Sequence, residues 1–251
     1  MKKIDLIYFV LLLIPINSYA KKTICEQYPP NYVTAVLVDV SEPLNRPSQM
    51  IFEKLAQKII TDSPNSSRID IYKIGSGSNT NLEPELSLCK PPENNNSLFS
   101  GKIFLKNKMQ KEFINPLSKE LKSLSIASTS SQESPILETF FSISIKSFIN
   151  QSGQQIPGKV IVISDFMQNS ELLNFYKQEI PTYKDFKASS NGRSWVRNFA
   201  MVSFEAVVIP RNDTSKLPIK GRDFFIGYFA DNVSCWQWRD LSSSIPPGKC
   251  K

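Results

Sequence analysis

Val33-Thr34-Ala35-Val36-Leu37-Val38-Asp39-Val40-Ser41-Glu42-Pro43-Leu44-Asn45 opens as an unbroken apolar run and breaks at Asp39 into a polar cluster. A β-branched and aliphatic run bounded by turn formers reads as a strand buried on both faces. Such a strand belongs in the middle of a parallel sheet with helices above and below it. The polar cluster falls where the strand leaves the sheet. In open α/β sheets, ligands bind at the carboxyl ends of central strands. Asp39 and Ser41, two residues apart, can aim two hard oxygens at one point.

The sequence on either side supports an α/β fold: a doubly wound, mostly parallel sheet with helices on both faces, Rossmann-like. Ser48 reads as the cap of a helix over 49–61 whose Ile51, Phe52, Leu55, Ile59 and Ile60 share a face. Arg68 to Ile74 alternates and reads as a second strand, so a right-handed crossover joins the two. Gly75 to Gly101 is an irregular loop insertion with a short edge strand at Leu86 to Leu88. Its Gly-Ser-Gly-Ser run lacks the lysine and spacing of a phosphate-binding loop and reads as a turn. Residues 107–124 read as a helix that Pro116 kinks or splits. Residues 135–149 read as a deeply packed helix, with Pro135 in its first turn and Ser134 placed to cap it.

Lys159 to Asn169, KVIVISDFMQN, is a second apolar strand ending in Ser164-Asp165. Beyond it come a short helix over 171–178, a polar loop over 180–194, a strand over 199–209 and an aromatic helix over 221–230. Trp236 and Trp238 are spaced to share one face of a strand. There they either cover the core near Cys235 or touch a partner.

With Glu133-Ser134-Pro135-Ile136 added, the two strand ends resemble the von Willebrand factor A-like family. The resemblance implies a metal-ion-dependent adhesion site built from D-x-S-x-S after the first strand, a mid-chain Thr and an Asp after the fourth strand. Asp39 matches the first Asp, Ser41 the first Ser and Asp165 the late Asp. Ser134-Pro135-Ile136 stands where the family has Thr-Pro-Ile. Pro43 stands where the second Ser belongs and offers no side-chain oxygen, so the implied site is partly degenerate. The resemblance also implies a final helix packed beside the last strand, and 223–231 fills that place.

The candidate metal set is therefore Asp39, Ser41, Ser134 and Asp165. Carboxylate and hydroxyl oxygens suit Mg²⁺ or Mn²⁺, with a partner's carboxylate completing the shell. Plain chemistry offers another reading. Ser41 and Ser134 each border a helix and serve as caps, and Asp39 and Asp165 are held by backbone N–H groups. Two neighbouring acids repel unless something positive joins them, which favours the cation.

The N-terminus has a lysine pair, an apolar run from Leu6 to Ile16 and a small-residue site ending at Ala20. This reads as a signal peptide over 1–20. The mature chain, 21–251, is then a single domain with no transmembrane span, periplasmic or secreted. Cys25, Cys89, Cys235 and Cys250 lie beyond the leader, an even count that suits disulfides in an exported chain. Of three pairings, Cys235 with Cys250 clips the tail through a short loop and leaves Cys25 with Cys89.

The formal net charge of +7 attracts the chain to anionic surfaces or acidic partners. Without a Lys/Arg cluster, nucleic acid is not an expected partner. The sequence contains no histidine, which removes His-based triads, His metal ligands and the commonest general base. The expectation is an exported, non-enzymatic protein-binding module of the cell envelope, within a larger surface or transfer apparatus. The rivals are a metal-assisted hydrolase using Asp39 and Asp165, and a structural subunit with no ligand.

Overall fold

The computed structural model describes residues 24–27, 29–75, 83–91, 102–128, 133–150, 152–176, 179–209, 217–240 and 248–250. The leader expected over 1–20 and the Gly-Ser-rich run after Gly75 lie outside them. The strands are β1 (Tyr32–Asp39), β2 (Ser67–Ile74), β3 (Leu86–Cys89), β4 (Gly158–Ser164), β5 (Phe199–Val208), β6 (Val233–Asp240) and β7 (Gly248–Cys250). The helices are α1 (Ile24–Gln27), α2 (Arg46–Asp62), α3 (Lys102–Met109), α4 (Asn115–Ile126), α5 (Ile136–Lys146), α6 (Tyr183–Ala188), α7 (Ser190–Arg193) and α8 (Ile219–Asn232).

All seven strands form one sheet in the order β3-β2-β1-β4-β5-β6-β7. The four inner pairings are parallel, and only the edge strands β3 and β7 run antiparallel to their neighbours. β1 is buried from Val33 to its end, as a strand covered on both faces must be.

Strand periodicity sorts the core into two layers. Val33, Ala35 and Leu37 of β1, with Val160 and Val162 of β4, face an aromatic layer from α5, α6 and α8. Phe140, Phe204, Phe225 and Phe229 meet there with ring centroids 5.2–6.3 Å apart. Val36, Val38, Ile161 and Ile163 face the other way, against Phe52 and Ile59 of α2 and Leu117 and Leu121 of α4. The sheet is thus doubly wound. Its strand order reverses at β1, which has β2 on one side and β4 on the other. The strands ending at Asp39 and before Asp165 are hydrogen-bonded neighbours, in register from Val33↔Gly158 to Val38↔Ile163.

Several local expectations need correction. Asn45, not Ser48, caps α2: its side chain accepts the Ser48 N–H, and Ser48 lies inside the helix. The helical run around Pro116 is split, as expected, into α3 and α4. A π-helical turn, Gln110–Ile114, precedes the proline and places it in the first turn of α4, where its missing N–H costs little.

Residues 171–176 are not helical. The Ser170 hydroxyl accepts from the N–H groups of Leu172 and Leu173, and Asn169 bridges to Asn174. Such side-chain bonds to local backbone compete with helix formation. The polar loop expected over 180–194 instead carries α6 and α7, capped by Thr182 and Ser189, with Tyr183 and Phe186 buried.

The aromatic helix α8 does not follow the last strand. It is the crossover that leads into β6. Trp236 and Trp238, on β6, are 7% and 1% exposed, so they are core and not a partner surface.

Cys25 and Cys89 are joined with Cα atoms 5.2 Å apart, which ties α1 to edge strand β3. Cys235 is disulfide-bonded, and its register partner across β6 and β7 is Cys250. Among the described residues no helix is long and apolar enough to cross a membrane.

Candidate functional site

Asp39 is the last residue of β1 and is 1% exposed. A buried carboxylate requires donors, and four come from three separate segments. The Ser41 amide and hydroxyl donate to Oδ1 at 3.0 and 2.6 Å. The Ser134 and Ser164 hydroxyls donate to Oδ2 at 2.9 and 2.7 Å. Ser164 Oγ in turn accepts the Phe166 N–H at 2.9 Å, fixing a turn in which Phe166 has a φ of 60°. A phenylalanine in that left-handed region is unusual and is held there by the surrounding structure.

The segment after β4 is clipped onto the start of α5. Ser134 and Asn169 exchange backbone hydrogen bonds at 2.8 and 3.0 Å. The fully buried Gln168 accepts the Leu137 N–H at 3.0 Å, and so satisfies a first-turn donor of α5. Its Nε2 donates to Glu138 Oε2 at 3.1 Å and to Ser170 Oγ at 2.9 Å. Burial raises the Glu138 carboxyl above its ordinary pKa, and hydrogen bonds from Ser170 and Gln168 partly offset the shift.

Of the four residues expected from the sequence, Asp39, Ser41 and Ser134 are directly hydrogen-bonded to one another through the Asp39 carboxylate. Neither serine acts as a helix cap. The Ser134 hydroxyl goes to Asp39, and Gln168 supplies the side-chain bond at the start of α5. Asp165 follows β4 by one residue, is 5% exposed and accepts the Met167 N–H at 3.0 Å.

Ser164 is the residue that sequence reasoning missed. Strand alternation contained the signal. Asp39 has the parity of Leu37, and Ser164 has the parity of Val162, so both face α5. Asp165 has the parity of Ile163, which faces α2. Gln168 and Glu138 were missed too, because their pairing joins segments thirty residues apart in sequence.

The corner offers oxygens only. Among the described residues no group of three or more His, Cys, Asp and Glu side chains is placed to hold a metal. Any ion here therefore relies on hydroxyls and water beside the carboxylates. A serine hydroxyl that donates to Asp39 still has lone pairs to present, so Ser41 and Ser134 retain ligand capacity. No family model matches the chain, and no curated protein matches it.

Proposed function

We propose that this chain is an exported, non-enzymatic protein-binding module of the cell envelope, similar in plan to the von Willebrand factor A-like domains and acting within a larger surface or transfer apparatus. One observation carries the reading. Serines from three segments, Ser41, Ser134 and Ser164, converge on Asp39 where the strand order reverses. That is the place where open α/β sheets bind ligands. Ser41 and Ser134 donate to Asp39 and keep oxygen lone pairs in reserve, which suits a hard cation such as Mg²⁺ or Mn²⁺. With few protein ligands such an ion keeps most of its water, and a partner's carboxylate completes its shell. The chain has no histidine to act as a general base. Glu138, the buried carboxyl beside the corner, has its Oε2 bonded to Gln168, which suits support of the loop better than proton transfer.

A second reading, a structural subunit with no ligand, is favoured by the four donors that already satisfy Asp39. Thermal melting with added cation separates the two. Binding to the native state alone stabilises by roughly 2.7 kcal/mol at a hundredfold excess over Kd. The melting temperature should rise with Mg²⁺ or Mn²⁺, and Asp39→Ala should abolish the rise. A wild type unmoved by millimolar-range cation, on the order of the weakest oxygen-only sites, leaves the structural reading standing.

A further inference from the structure

A second surface, away from the strand-end corner, combines exposed apolar side chains with unpaired positive charge. Phe141 lies on the outer side of α5, where Trp195 packs against it with ring centroids 5.1 Å apart. The Arg197 guanidinium stacks on the same Phe141 ring, 3.8 Å from its centroid. Ile145 lies one helical turn further along α5 and is 52% exposed. Ile149 follows at 37% exposure and is bridged to Gln155. The Gln155 amide reaches the carbonyl of Asn198, the neighbour of Arg197, at 3.1 Å, which closes the patch on itself. Single exposed isoleucines are ordinary; two of them beside the half-buried rings of Phe141 and Trp195 make a larger apolar patch.

The charge decides what the contact is. Arg197 Nη1 donates to the Val196 carbonyl at 2.9 Å, and Arg193 Nη2 lies 3.4 Å from the Ala188 carbonyl. Among the described residues neither guanidinium is ion-paired with a carboxylate, unlike Lys146 and Lys187 nearby, which pair with Glu83 and Asp231. A guanidinium placed over a ring still has N–H groups to offer an anion.

We propose that this face docks the protein on an anionic lipid bilayer. Ile145 and Ile149 enter the acyl boundary, Trp195 sits at headgroup level and Arg193 and Arg197 meet lipid phosphates. That is the division of labour seen at interfacial membrane anchors. Exposed aliphatic side chains beside guanidinium groups with no carboxylate partner among the described residues suit an anionic bilayer. The formal charge, +7 for the full sequence and +6 without residues 1–20, adds attraction at longer range.

The test is co-sedimentation of the purified protein with vesicles of phosphatidylcholine, with and without phosphatidylglycerol. Binding should require phosphatidylglycerol and weaken as salt shortens the Debye length to about 10 Å and below. Because Trp236 and Trp238 are buried, a blue shift of tryptophan emission on binding reports Trp195. Arg197→Ala should lower partitioning about fivefold, while Arg197→Lys keeps most of it. Ile145→Ser, at an exposed position that leaves the core untouched, should lower it about tenfold. The proposal is overturned if the wild type ignores anionic vesicles, or if the variants partition as the wild type does. It is overturned equally by a salt-sensitive complex with polyglutamate in place of lipid, which indicates an acidic protein partner, or by self-association through this face.

Discussion

Asp39 at the end of β1 and Asp70 in the middle of β2 lie on neighbouring strands, and they are 1% and 2% exposed. Each holds one end of α5. Asp39 takes the hydroxyl of Ser134, just before the helix, and Asp70 takes that of Ser147, just after it, at 2.7 Å. Their remaining partners differ. Asp70 Oδ2 faces Arg68, with Nε at 3.0 Å and Nη2 at 2.9 Å, and its Oδ1 accepts from Ser87 at 2.7 Å. Arg68 also reaches the Ser147 carbonyl, and the Tyr72 hydroxyl closes the cluster on Ser147. Burial keeps Tyr72 protonated far above its ordinary range, so it is a permanent hydroxyl in this network. Asp39 draws instead on three serine hydroxyls and an amide. Asp70 is closed within the sheet by a guanidinium and serves stability. Asp39 is surrounded by oxygens that can serve a second purpose.

The largest expected effect tests the Asp70 side of this contrast. Asp70→Ala strands a partly buried guanidinium and two hydroxyls and should cost about 3–5 kcal/mol. Urea-induced unfolding measures it. Asp39→Ala strands hydroxyls that can turn toward other acceptors, and should cost about 2–3 kcal/mol. If Asp39→Ala proves the more damaging, the division between a stability cluster and a ligand corner fails. Ser134→Ala removes one hydroxyl and leaves the backbone exchange with Asn169 in place, so its cost should be about 1 kcal/mol. Its effect on the cation-dependent rise in melting temperature should nevertheless approach that of Asp39→Ala. A full response to cation in Ser134→Ala would remove Ser134 from the ligand set.

How much of this was written in the sequence follows from what each element depends on. β1 and β4 were legible because a strand buried on both faces carries its own signature, which places both inside the sheet. Asp39, Ser41 and Ser134 were legible as oxygen-bearing residues at element ends. What they do with those oxygens was not. Capping is a local pattern, yet the bond that serves the start of α5 comes from Gln168, beyond the next strand. Ser164 was hidden because the neighbouring Asp165 carries the match to the family motif, although strand parity alone places Ser164 on the side of Val162 and Leu37. Helices α6 and α7 escaped because their apolar content is slight and rests on two capping hydroxyls. The spacing of Trp236 and Trp238 showed a strand, but its parallel pairing with β5 lies outside any local pattern.

The smallest expected effect concerns Glu138, which links the first turn of α5 to Gln168 in the segment beside the Asp39 corner. Desolvation raises its pKa in the folded protein, and the nearby Glu133 adds to the shift. The sign follows from linkage. A carboxyl whose folded pKa lies above its unfolded value contributes stability fully below the unfolded pKa, about 4.3 for Glu, and that contribution is lost as pH rises through the folded value. Wild-type stability, compared with that of Glu138→Gln, should therefore fall as pH rises from the ordinary carboxyl range. The glutamine still offers Gln168 Nε2 an acceptor and cannot ionise. Taking the difference between the two unfolding curves removes the exposed carboxylates that titrate in both proteins. Parallel curves would mean that Glu138 ionises in the folded state as readily as in the unfolded chain. A difference that opens with pH would show that the clip between α5 and the Gln168 segment loosens on ionisation. That change should be felt first at Ser134, which stands between the clip and Asp39, and hardly at all at Ser147 and Asp70 on the far end of the same helix.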